Sequence, residues 1–373
     1  MVSERILQST LPLISVLPSG CSMQLRNLGW DSHFQDQLNE LDTSELLVGR
    51  VIKTDGSKCD IINQDGVIRA RVPGRMRDTI PPAVGDWVLI KPLEIGHEIY
   101  RVLEPKNRIS RKAAGRDIRQ QVVASNIDYV FIVMGLDGDF NIRRLERYLI
   151  MVTSSGSTPV IVLNKTDISP NVDEMVEEVC TVSREVPILK VSVLNGDGLE
   201  DIREYLIRGS TAVLVGSSGV GKSTLINALL GCEAQRTDNV RENDSRGRHV
   251  TTHRELFIIP NGGVIIDNPG IREIQLWGEI SDMEEPFQDI TELSAGCRFN
   301  DCQHLSEPGC RVKLAIENGE LSHKRYESYL KLRKELQHLA RKQTMSSEAA
   351  ERSRWKGIKK NAQGYRRYKE GRD

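Results

Sequence analysis

The fold of this chain is decided by TAVLVGSSGVGKSTLINAL, residues Thr211–Leu229. A short apolar run precedes GxxxxGKS, in which four residues separate Gly216 from Gly221 and Lys222 and Ser223 follow. Because an apolar strand comes before this pattern and a predicted helix after it, the context is that of a phosphate-binding loop. Backbone N–H groups of such a loop turn toward phosphates, and the helix N-terminus adds partial positive charge. A glycine-rich turn without a ligand is the alternative, but it gives the Lys-Ser pair no purpose in packing.

The loop and a later strand predict a magnesium nucleotide site. Lys222 would reach the β- and γ-phosphate oxygens, and the Ser223 hydroxyl would bind Mg²⁺. GVIIDNPG ends an apolar strand with Asp267, which would hold Mg²⁺ through water, while Gly270 would contact the γ-phosphate through its backbone. The phosphate-loop residues predicted to bind the nucleotide are Gly216, Ser217, Ser218, Gly219, Val220, Gly221, Lys222, Ser223 and Thr224.

A second motif, IVLNKTDIS at Ile161–Ser169, indicates the base. The Asp167 carboxylate can accept two parallel hydrogen bonds from guanine N1–H and the exocyclic amine, a pair of donors that adenine lacks. Asn164 can bond the other edge of the base, and the Lys165 stem can lie over the ring. This short motif becomes specific only beside a phosphate loop. The predicted guanine-binding residues are Asn164, Lys165, Thr166 and Asp167, with Ser192 and Val193 of the companion loop SVLNGDG, whose backbone N–H would meet guanine O6.

The stretch RGRHVTTHRE, Arg246–Glu255, has the position and polarity of a first switch. One of Thr251 and Thr252 would bind Mg²⁺, and Thr251 is preferred. Ile271 stands where many GTPases carry the Gln that orients the attacking water, so His249 is the nearest candidate for that task. A surface histidine without a role is the alternative for His249. The predicted catalytic residues are His249, Lys222 and Thr251.

The order of these motifs is base-reading loop, companion loop, phosphate loop, first switch and magnesium Asp. The usual GTPase order begins with the phosphate loop, so this order is a circular permutation. Every site residue can still lie at one edge of the same sheet. The second switch now leads directly into the C-terminal region, so the state of the nucleotide can act on that region.

Length and composition place the motifs in a multidomain chain. Its 373 residues suffice for two or three domains. The 51 Lys and Arg against 52 Asp and Glu give a net charge of −1, an average that points to neither nucleic acid nor a membrane. No apolar run reaches the roughly 18 residues of a membrane span. Most of the seven cysteines are scattered, which predicts a reducing compartment, the cytoplasm. Because no repeat or symmetric pattern suggests an oligomer, we expect a monomer.

The segment from Leu46 to Val102 has short strands separated by turn residues, which predicts a small closed barrel of the OB-fold type. A structural barrel without a ligand and an RNA-binding barrel are both compatible with this pattern. RNA is favoured slightly by the basic residues Arg50, Lys53, Lys58, Arg69, Arg71, Arg75 and Arg77. After the basic connector RISRKAAGR, Arg108–Arg116, continuous apolar strands alternate with helices, so we expect a mostly parallel sheet covered on both faces.

Near the C-terminus, CRFNDCQHLSEPGC contains three cysteines and a histidine within a short loop. Three thiolates and an imidazole can close a tetrahedral Zn²⁺ site, and a complete set of four ligands indicates structural zinc. Unligated cysteines are the alternative. The predicted zinc ligands are Cys297, Cys302, His304 and Cys310. Beyond them, the tail interleaves Arg and Lys with Trp355, Tyr365 and Tyr368, which indicates RNA binding, and a solvated basic end is the alternative.

The predicted fold class is multidomain. An N-terminal all-β OB-like barrel precedes a central, circularly permuted α/β phosphate-loop GTPase domain and a C-terminal zinc-binding helical region. The predicted ranges are a poorly ordered arm at 1–44, the barrel at 45–107, the GTPase domain at 108–280, the zinc-binding and helical domain at 281–342 and the basic tail at 343–373.

Together, the barrel, NKTD, GSSGVGKST, GRHVTTH, DNPG and the zinc spacing resemble the circularly permuted ribosome small subunit-dependent GTPase A family over residues 45–340. The resemblance implies GTP hydrolysis stimulated by the small ribosomal subunit and its rRNA, in late maturation of that subunit. It implies GTP or GDP, Mg²⁺ and one structural Zn²⁺ as cofactors, and it matches His249 to a histidine proposed to act in hydrolysis. Three residues depart from the family pattern: Val250 replaces a Thr, Val193 replaces an Ala, and Gly219 stands where potassium-activated relatives have Asn.

Two other functions remain compatible with the sequence. Ile271 and the flanking RNA-type modules also suit a non-hydrolysing, GTP-dependent RNA-binding scaffold for assembly. An ATPase or kinase with a generic phosphate loop is a weaker alternative, because it leaves Asp167 without a purpose.

Overall fold

The computed structural model describes residues 24–79, 81–112, 120–183, 185–234, 254–267, 276–342 and 344. These residues form two compact units. The first contains the residues up to Arg111 and those from Val122 to Asp267, and the second contains Lys112, residues 120–121 and those from Leu276 onward. Within these ranges, no helix is long and apolar enough to cross a membrane.

The first unit begins with a folded segment. A 3-10 helix spans Leu25–Leu28, and helix α1 spans Ser32–Asn39. The Phe34 side chain is fully buried, and the Trp30 ring meets the edge of the Trp87 ring at 4.8 Å between centroids. The expectation of a poorly ordered arm is therefore wrong for residues 24–44, because aromatic side chains anchor this stretch on the barrel.

The turn-separated strands that follow close into a five-stranded barrel, which confirms the predicted OB-like module. The strands are β1 (Leu47–Asp55), β2 (Lys58–Asn63), β3 (Gly66–Arg71), β4 (Trp87–Pro92) and β5 (His97–Val102), with helix α2 (Gly74–Asp78) before β4. They pair in the order β1-β2-β3-β5-β4, and a further pairing of β1 with β4 closes the barrel. Only β3 and β5 pair in parallel. Every second residue of a strand points to the interior of the barrel. These inward positions are apolar and include Val51, Ile61, Ile90 and Ile99.

The segment after the barrel contains two strands that the sequence does not reveal. Strand β6 (Arg108–Lys112) pairs with β7 (Gln120–Ser125) in a separate two-stranded sheet. The basic connector expected at Arg108–Arg116 is therefore a strand over its described part, Arg108–Lys112. The apolar positions Ile109 and Val123 are buried, and burial rather than charge decides the local structure.

A mostly parallel sheet carries the predicted nucleotide motifs. Its strands are β8 (Tyr129–Gly135), β9 (Thr158–Asn164), β10 (Ile188–Val191), β11 (Thr211–Val215), β12 (Glu255–Ile258) and β13 (Val264–Asp267), and its helices are α3 (Ile142–Thr153), α4 (Val172–Ser183), α5 (Leu199–Arg203) and α6 (Lys222–Leu230). The order is β10-β9-β8-β11-β13-β12, in which only β12 runs antiparallel to its neighbour. The four parallel pairings bring the carboxyl ends of β8, β9, β10, β11 and β13 to one edge. This edge lies where α/β sheets bind ligands.

Strand β12 also joins the barrel to the parallel sheet. It pairs with β1 at Lys53 and Glu255, whose side chains form an ion pair of 3.6 Å. One continuous sheet of 11 strands therefore runs through the first unit. The barrel and the nucleotide-binding part are one compact unit rather than the two separate ranges expected from the sequence.

The second unit is helical around the cysteine-rich loop. A 3-10 helix at Ile280–Met283 precedes α7 (Gln288–Ala295) and α8 (Arg311–Glu317), and residues 323–342 are helical. The Arg325 guanidinium lies 4.1 Å from the Phe287 ring centroid and pairs with Asp289 at 3.0 Å.

Candidate nucleotide site and cysteine cluster

The phosphate loop requires glycine at two positions. Gly216 has a φ of 148° and Gly221 a φ of 98°, and the left-handed conformation of Gly221 is unfavourable for other residues. A Cβ on Gly216 would lie 2.3 Å from the Val133 carbonyl oxygen, and a Cβ on Gly221 would lie 2.4 Å from Asn164 Nδ2. The loop is therefore pressed against the ends of both β8 and β9.

Lys222, the first residue of α6, is the residue of the phosphate loop that is predicted to contact the phosphates. Lys222 Nζ donates to the Gly216 carbonyl at 2.8 Å and also to the Ser217 carbonyl. Asp267 ends β13 directly beside the loop strand, opposite Leu214, and only 4% of its surface is exposed. A half-buried hydroxyl on Ser223 and a nearly buried carboxylate on a neighbouring strand are the oxygen ligands that Mg²⁺ prefers.

Asn164 links the base-reading motif to both neighbouring loops. Its Nδ2 donates to the Val220 carbonyl of the phosphate loop at 2.8 Å. Its Oδ1 accepts from the Val193 N–H of the companion loop at 3.2 Å. Its side chain is 3% exposed. This amide therefore fixes the relative position of three loops, and the predicted bonds of Asn164 and of the Val193 N–H to guanine stay predictions.

Asp167 is oriented by the companion loop. The Ser192 hydroxyl donates to Asp167 Oδ1 at 2.7 Å, and it accepts from the Asn195 N–H at 3.2 Å. Thr166 is held by its N–H, which donates to the Val191 carbonyl at 3.3 Å. Ser192 is fully buried, whereas Asp167 is exposed. The Ser192 hydroxyl thus holds the base-reading carboxylate, and its role in nucleotide binding stays a prediction.

Lys165 has a partner that the sequence does not indicate. Its Nζ lies 2.6 Å from Asp137 Oδ2, in the loop after β8. The Lys165 backbone is left-handed with a φ of 69°, which is uncommon outside glycine. Partial burial would raise the pKa of Asp137, but the bonds from Lys165 and from the Asp139 N–H outweigh it, and the pKa is lowered. The carboxylate is therefore ionised at neutral pH.

Several predicted residues lie outside the described residues. These are His249, Thr251 and Thr252 of the first switch, with Gly270 and Ile271 after the magnesium Asp. Their roles stay predictions. The basic tail after residue 344 also lies outside the described part of the chain.

The basic residues of the barrel do not all face solvent. Arg50 is fully buried, donates to the carbonyls of Leu28, Gly85 and Asn126, and reaches the Thr211 hydroxyl at 2.9 Å. Burial lowers the pKa of Arg50 to about 10, so the guanidinium stays charged. Arg50 therefore binds the barrel to strand β11 rather than to RNA, which corrects its assignment from the sequence.

Other basic residues of the barrel are exposed, and some of them are also paired. Arg69 lies 3.1 Å from Asp55, and Arg71 pairs with Glu98. The exposed basic residues are Lys58, Arg69, Arg71, Arg75 and Arg77.

In the second unit, the four predicted zinc ligands lie together. Their ligand atoms are all within 4.8 Å of one another. Cys297 Sγ lies 4.0 Å from Cys310 Sγ, and His304 Nδ1 lies 3.6 Å and 3.5 Å from these two sulfur atoms. A tetrahedron with Zn–S bonds of about 2.3 Å has S···S edges of about 3.8 Å, close to these distances. Burial lowers the pKa of His304, which favours the neutral imidazole that binds a metal. The cluster therefore fits zinc.

Three residues that the sequence analysis missed hold the cluster loop. The Ser294 hydroxyl lies 3.1 Å from His304 Nε2 and can orient the ring, as outer partners of metal ligands do. The Tyr326 hydroxyl donates to the His304 carbonyl. The Glu307 carboxylate accepts from its neighbours' backbone N–H groups, at 2.8 Å from Leu305 and 2.9 Å from Ser306. Its own and these neighbouring N–H groups hold the pKa of Glu307 at about 2. Of these three residues, only Glu307 could have been found from the sequence, because a carboxylate within a turn can accept hydrogen bonds from neighbouring backbone N–H groups.

The comparisons with known proteins agree with the geometry of both sites. Residues 102–277 match the family described as RsgA GTPase. A relative from Opitutus terrae, named "Small ribosomal subunit biogenesis GTPase RsgA", is 40% identical over 352 residues, which cover 90% of this chain and 96% of the relative. A relative of the same name from Xanthomonas axonopodis pv. citri is 47% identical over 294 residues, covering 78% of this chain and 77% of the relative.

Solved structures show the same arrangement. YjeQ from Thermotoga maritima superposes with a TM-score of 0.58 at 30% identity, covering 78% of this chain and 98% of YjeQ. YloQ, described as a circularly permuted GTPase, superposes with a TM-score of 0.56 at 25% identity, covering 79% of this chain and 96% of YloQ. The permuted order inferred from the motifs is thus the order of known structures.

Proposed function

This chain belongs to the RsgA GTPase family, and we propose that it is a GTP phosphohydrolase that acts on the small ribosomal subunit during its late maturation. The observation that carries the proposal is the Asn164 side chain, which bonds both the phosphate loop and the companion loop. Because the base-reading motif is hydrogen-bonded to the phosphate loop, the two motifs belong to the same nucleotide site. Relatives named for small-subunit biogenesis support the biological context.

Guanine is selected by Asp167 in this proposal. Ser192 occupies one lone pair of Oδ1 at 2.7 Å and thereby sets the plane of the carboxylate. The remaining acceptor positions are then available to the two parallel donors of guanine. The Lys165 stem covers the face of the base. The Val193 N–H, which donates to Asn164 Oδ1 at 3.2 Å, turns to guanine O6 once the base is bound.

The phosphates are held by the loop residues and Lys222. Binding of the β- and γ-phosphates draws Lys222 Nζ away from the Gly216 and Ser217 carbonyls, since phosphate oxygens are charged acceptors and carbonyls are not. Ser223, Asp267 and Thr251 would hold Mg²⁺, which supplies neutralising charge to the phosphate oxygens. Gly270 would add a backbone contact to the γ-phosphate.

Hydrolysis needs a group that positions water, and Ile271 has no atom for this task. We assign the task to His249 of the first switch. The turnover is slow until RNA of the small subunit orders this switch around the nucleotide, and hydrolysis then releases the protein. Exposed basic residues of the barrel, Lys58, Arg75 and Arg77 among them, provide charge for contact with rRNA.

Zinc completes the second unit in this proposal. Cys297, Cys302, His304 and Cys310 hold one structural Zn²⁺, because four protein ligands leave no position open for substrate. The short loop buries little apolar surface, so the metal contributes to its folding. We further propose that the protein works as a monomer in the cytoplasm.

A non-hydrolysing GTP-dependent scaffold is the second candidate, and Ile271 is the observation that favours it. The two functions differ in turnover. The test measures GTP hydrolysis by the purified protein, alone and with small ribosomal subunits, at low and high salt. We expect stimulation at low salt that declines as salt rises, because counterions compete with basic side chains for phosphate. Binding without stimulated turnover would favour the scaffold.

A further inference from the structure

The loop after β8 places a carboxylate beside the base-reading motif. Gly135 at the end of β8 lies opposite Asn164 at the end of β9, and the Leu136 N–H donates to the Asn164 carbonyl at 2.8 Å. Asp137 is the second residue after the end of β8, and Lys165 is the first residue after the end of β9. Their side chains meet at 2.6 Å although 28 positions separate them in the sequence.

The Asp137 carboxylate is oriented independently of Lys165. Its Oδ1 accepts from the Asp139 N–H at 3.0 Å, and its backbone carbonyl accepts from the Phe140 N–H at 3.1 Å. A Cβ at Gly135 would lie 2.8 Å from Asp137 Oδ1, so the side chain is packed closely on its own strand end. Only Oδ2 is directed at Lys165. The carboxylate is thus a preformed acceptor rather than one end of a mobile surface pair.

Lys165 has a long, flexible stem that must be ordered to lie flat on a base. A lysine side chain carries about 2 kcal/mol of rotamer entropy. An anchor at the ammonium end restricts that freedom before the nucleotide arrives. Lys165 is 27% exposed and Asp137 is 28% exposed, so the stem is still open to a ligand.

We propose that Asp137 is a positioning residue for guanine-nucleotide binding, which holds the Lys165 ammonium so that the stem covers the base. This inference rests on the proposed nucleotide site. The half-exposed ion pair contributes little to stability in the free protein, because solvent screens it. A base lying on the stem removes part of that solvent and strengthens the pair. The effect of Asp137 therefore belongs to nucleotide affinity more than to folding.

The test measures the affinity of full-length variants for a fluorescent GDP analogue. We expect Asp137→Ala to raise Kd about three- to ten-fold, the range of a partly shielded ion pair. Lys165→Ala should raise Kd at least as much, and the double variant should match Lys165→Ala because Asp137 acts through Lys165. In GTP hydrolysis, Asp137→Ala should raise KM and leave kcat unchanged, because the base contributes equally to ground state and transition state.

Asp139→Asn is the matched control. Asp139 lies in the same loop, but its carboxylate pairs with Arg144 at 2.7 Å. This variant removes one negative charge from the loop, as Asp137→Ala does, but leaves the contact between Asp137 and Lys165 in place. We therefore expect the wild-type Kd. Asp137→Asn repeats the comparison if Asp137→Ala fails to fold. Unchanged affinity in Asp137→Ala, or additive losses in the double variant, would overturn the inference. Wild-type protein that binds no guanine nucleotide would instead overturn the proposed function, and this inference with it.

Discussion

Asn164 shows that a residue predicted to bind the ligand can also hold the loops of the site in place. Its amide is almost wholly buried and bonds the backbone of two loops, Val220 at 2.8 Å and Val193 at 3.2 Å. Ser192 likewise holds Asp167, because its hydroxyl donates to Asp167 Oδ1. The motif NKTD therefore partly holds the loops together through Asn164, and in the proposed site Asp167 and the Lys165 stem contact the base.

The first prediction at this scale concerns Asp167. Asp167→Asn replaces one of two acceptors by a donor, so one of the two bonds from guanine is lost and the other no longer goes to a charged group. We expect the affinity for GTP to fall on the order of 100-fold, and that for xanthosine triphosphate to rise, because its second carbonyl can accept from Asn. Competition binding with both nucleotides measures this exchange. Asp173→Asn, an equal change at an exposed position of α4, should bind GTP normally.

A second prediction separates binding from hydrolysis. His249→Ala should retain the affinity for GTP, because in the proposed mechanism the histidine positions water and does not bind the nucleotide. It should lose most of the stimulation by small ribosomal subunits, by about 100-fold, the range of a general base. Single-turnover hydrolysis measures the loss, and His253→Ala in the same segment is the matched control. Full stimulation of His249→Ala would remove His249 from the mechanism.

At the scale of elements, the loop from Cys297 to Cys310 depends on what surrounds it. Ser294 at the end of α7 contacts one ring nitrogen of His304, and the Tyr326 hydroxyl donates to its carbonyl. His304 itself is left-handed, with a φ of 62°. Neighbouring helices thus hold the loop in a shape in which the four ligand atoms converge.

The prediction for this element is loss of metal and stability together. Cys302→Ser should release zinc and lower the free energy of unfolding on the order of 4 kcal/mol, as expected for a lost structural metal. Metal analysis and denaturant unfolding measure the two quantities. Cys180→Ser, a change at an exposed cysteine of α4, should keep one zinc per chain. A stable, metal-free Cys302→Ser protein would contradict the structural role of zinc.

At the scale of the molecule, the barrel and the parallel sheet are joined by a buried cation. Arg50 on β1 reaches the Thr211 hydroxyl on β11, the strand that leads into the phosphate loop, and it also bonds the Leu28 carbonyl of the N-terminal segment. Its guanidinium lies 5.7 Å from the Trp87 ring centroid. A barrel strand is therefore hydrogen-bonded directly to the strand that leads into the phosphate loop.

The prediction is that Arg50→Ala destabilises the whole first unit. The change removes buried atoms, takes the Arg50 donor from the carbonyls of Leu28 and Asn126, and leaves the Gly85 carbonyl with Asn126 Nδ2 alone of its two side-chain donors. We expect a loss of about 3 kcal/mol or more, measured by denaturant unfolding. Arg75→Ala, an exposed arginine of the same barrel, should change stability by less than about 0.5 kcal/mol. Equal losses of stability in the two variants would show that the buried contacts of Arg50 do not stabilise the first unit.

Sequence reasoning was sufficient for the elements whose signals are short. GxxxxGKS, NKTD and the cysteine spacing each depend on a few neighbouring residues, so the phosphate loop, the base-reading loop and the metal cluster are recognisable without coordinates. Apolar periodicity likewise predicts the five barrel strands and the five parallel strands β8, β9, β10, β11 and β13. The same reasoning missed β12, and it missed β6 and β7, because charge in that segment hides its buried apolar positions.

By itself, the sequence determined which chemistries the chain carries and the order in which they occur. Only the tertiary structure decided which residues support them: Asp137 beside Lys165, Asn164 beneath the phosphate loop and Arg50 inside the first unit. These partners are separated by 28, 56 and 161 positions. Local spacing constrains the backbone over a few residues, whereas such distant contacts arise only when strands settle side by side and burial selects the hydrogen-bonding partners.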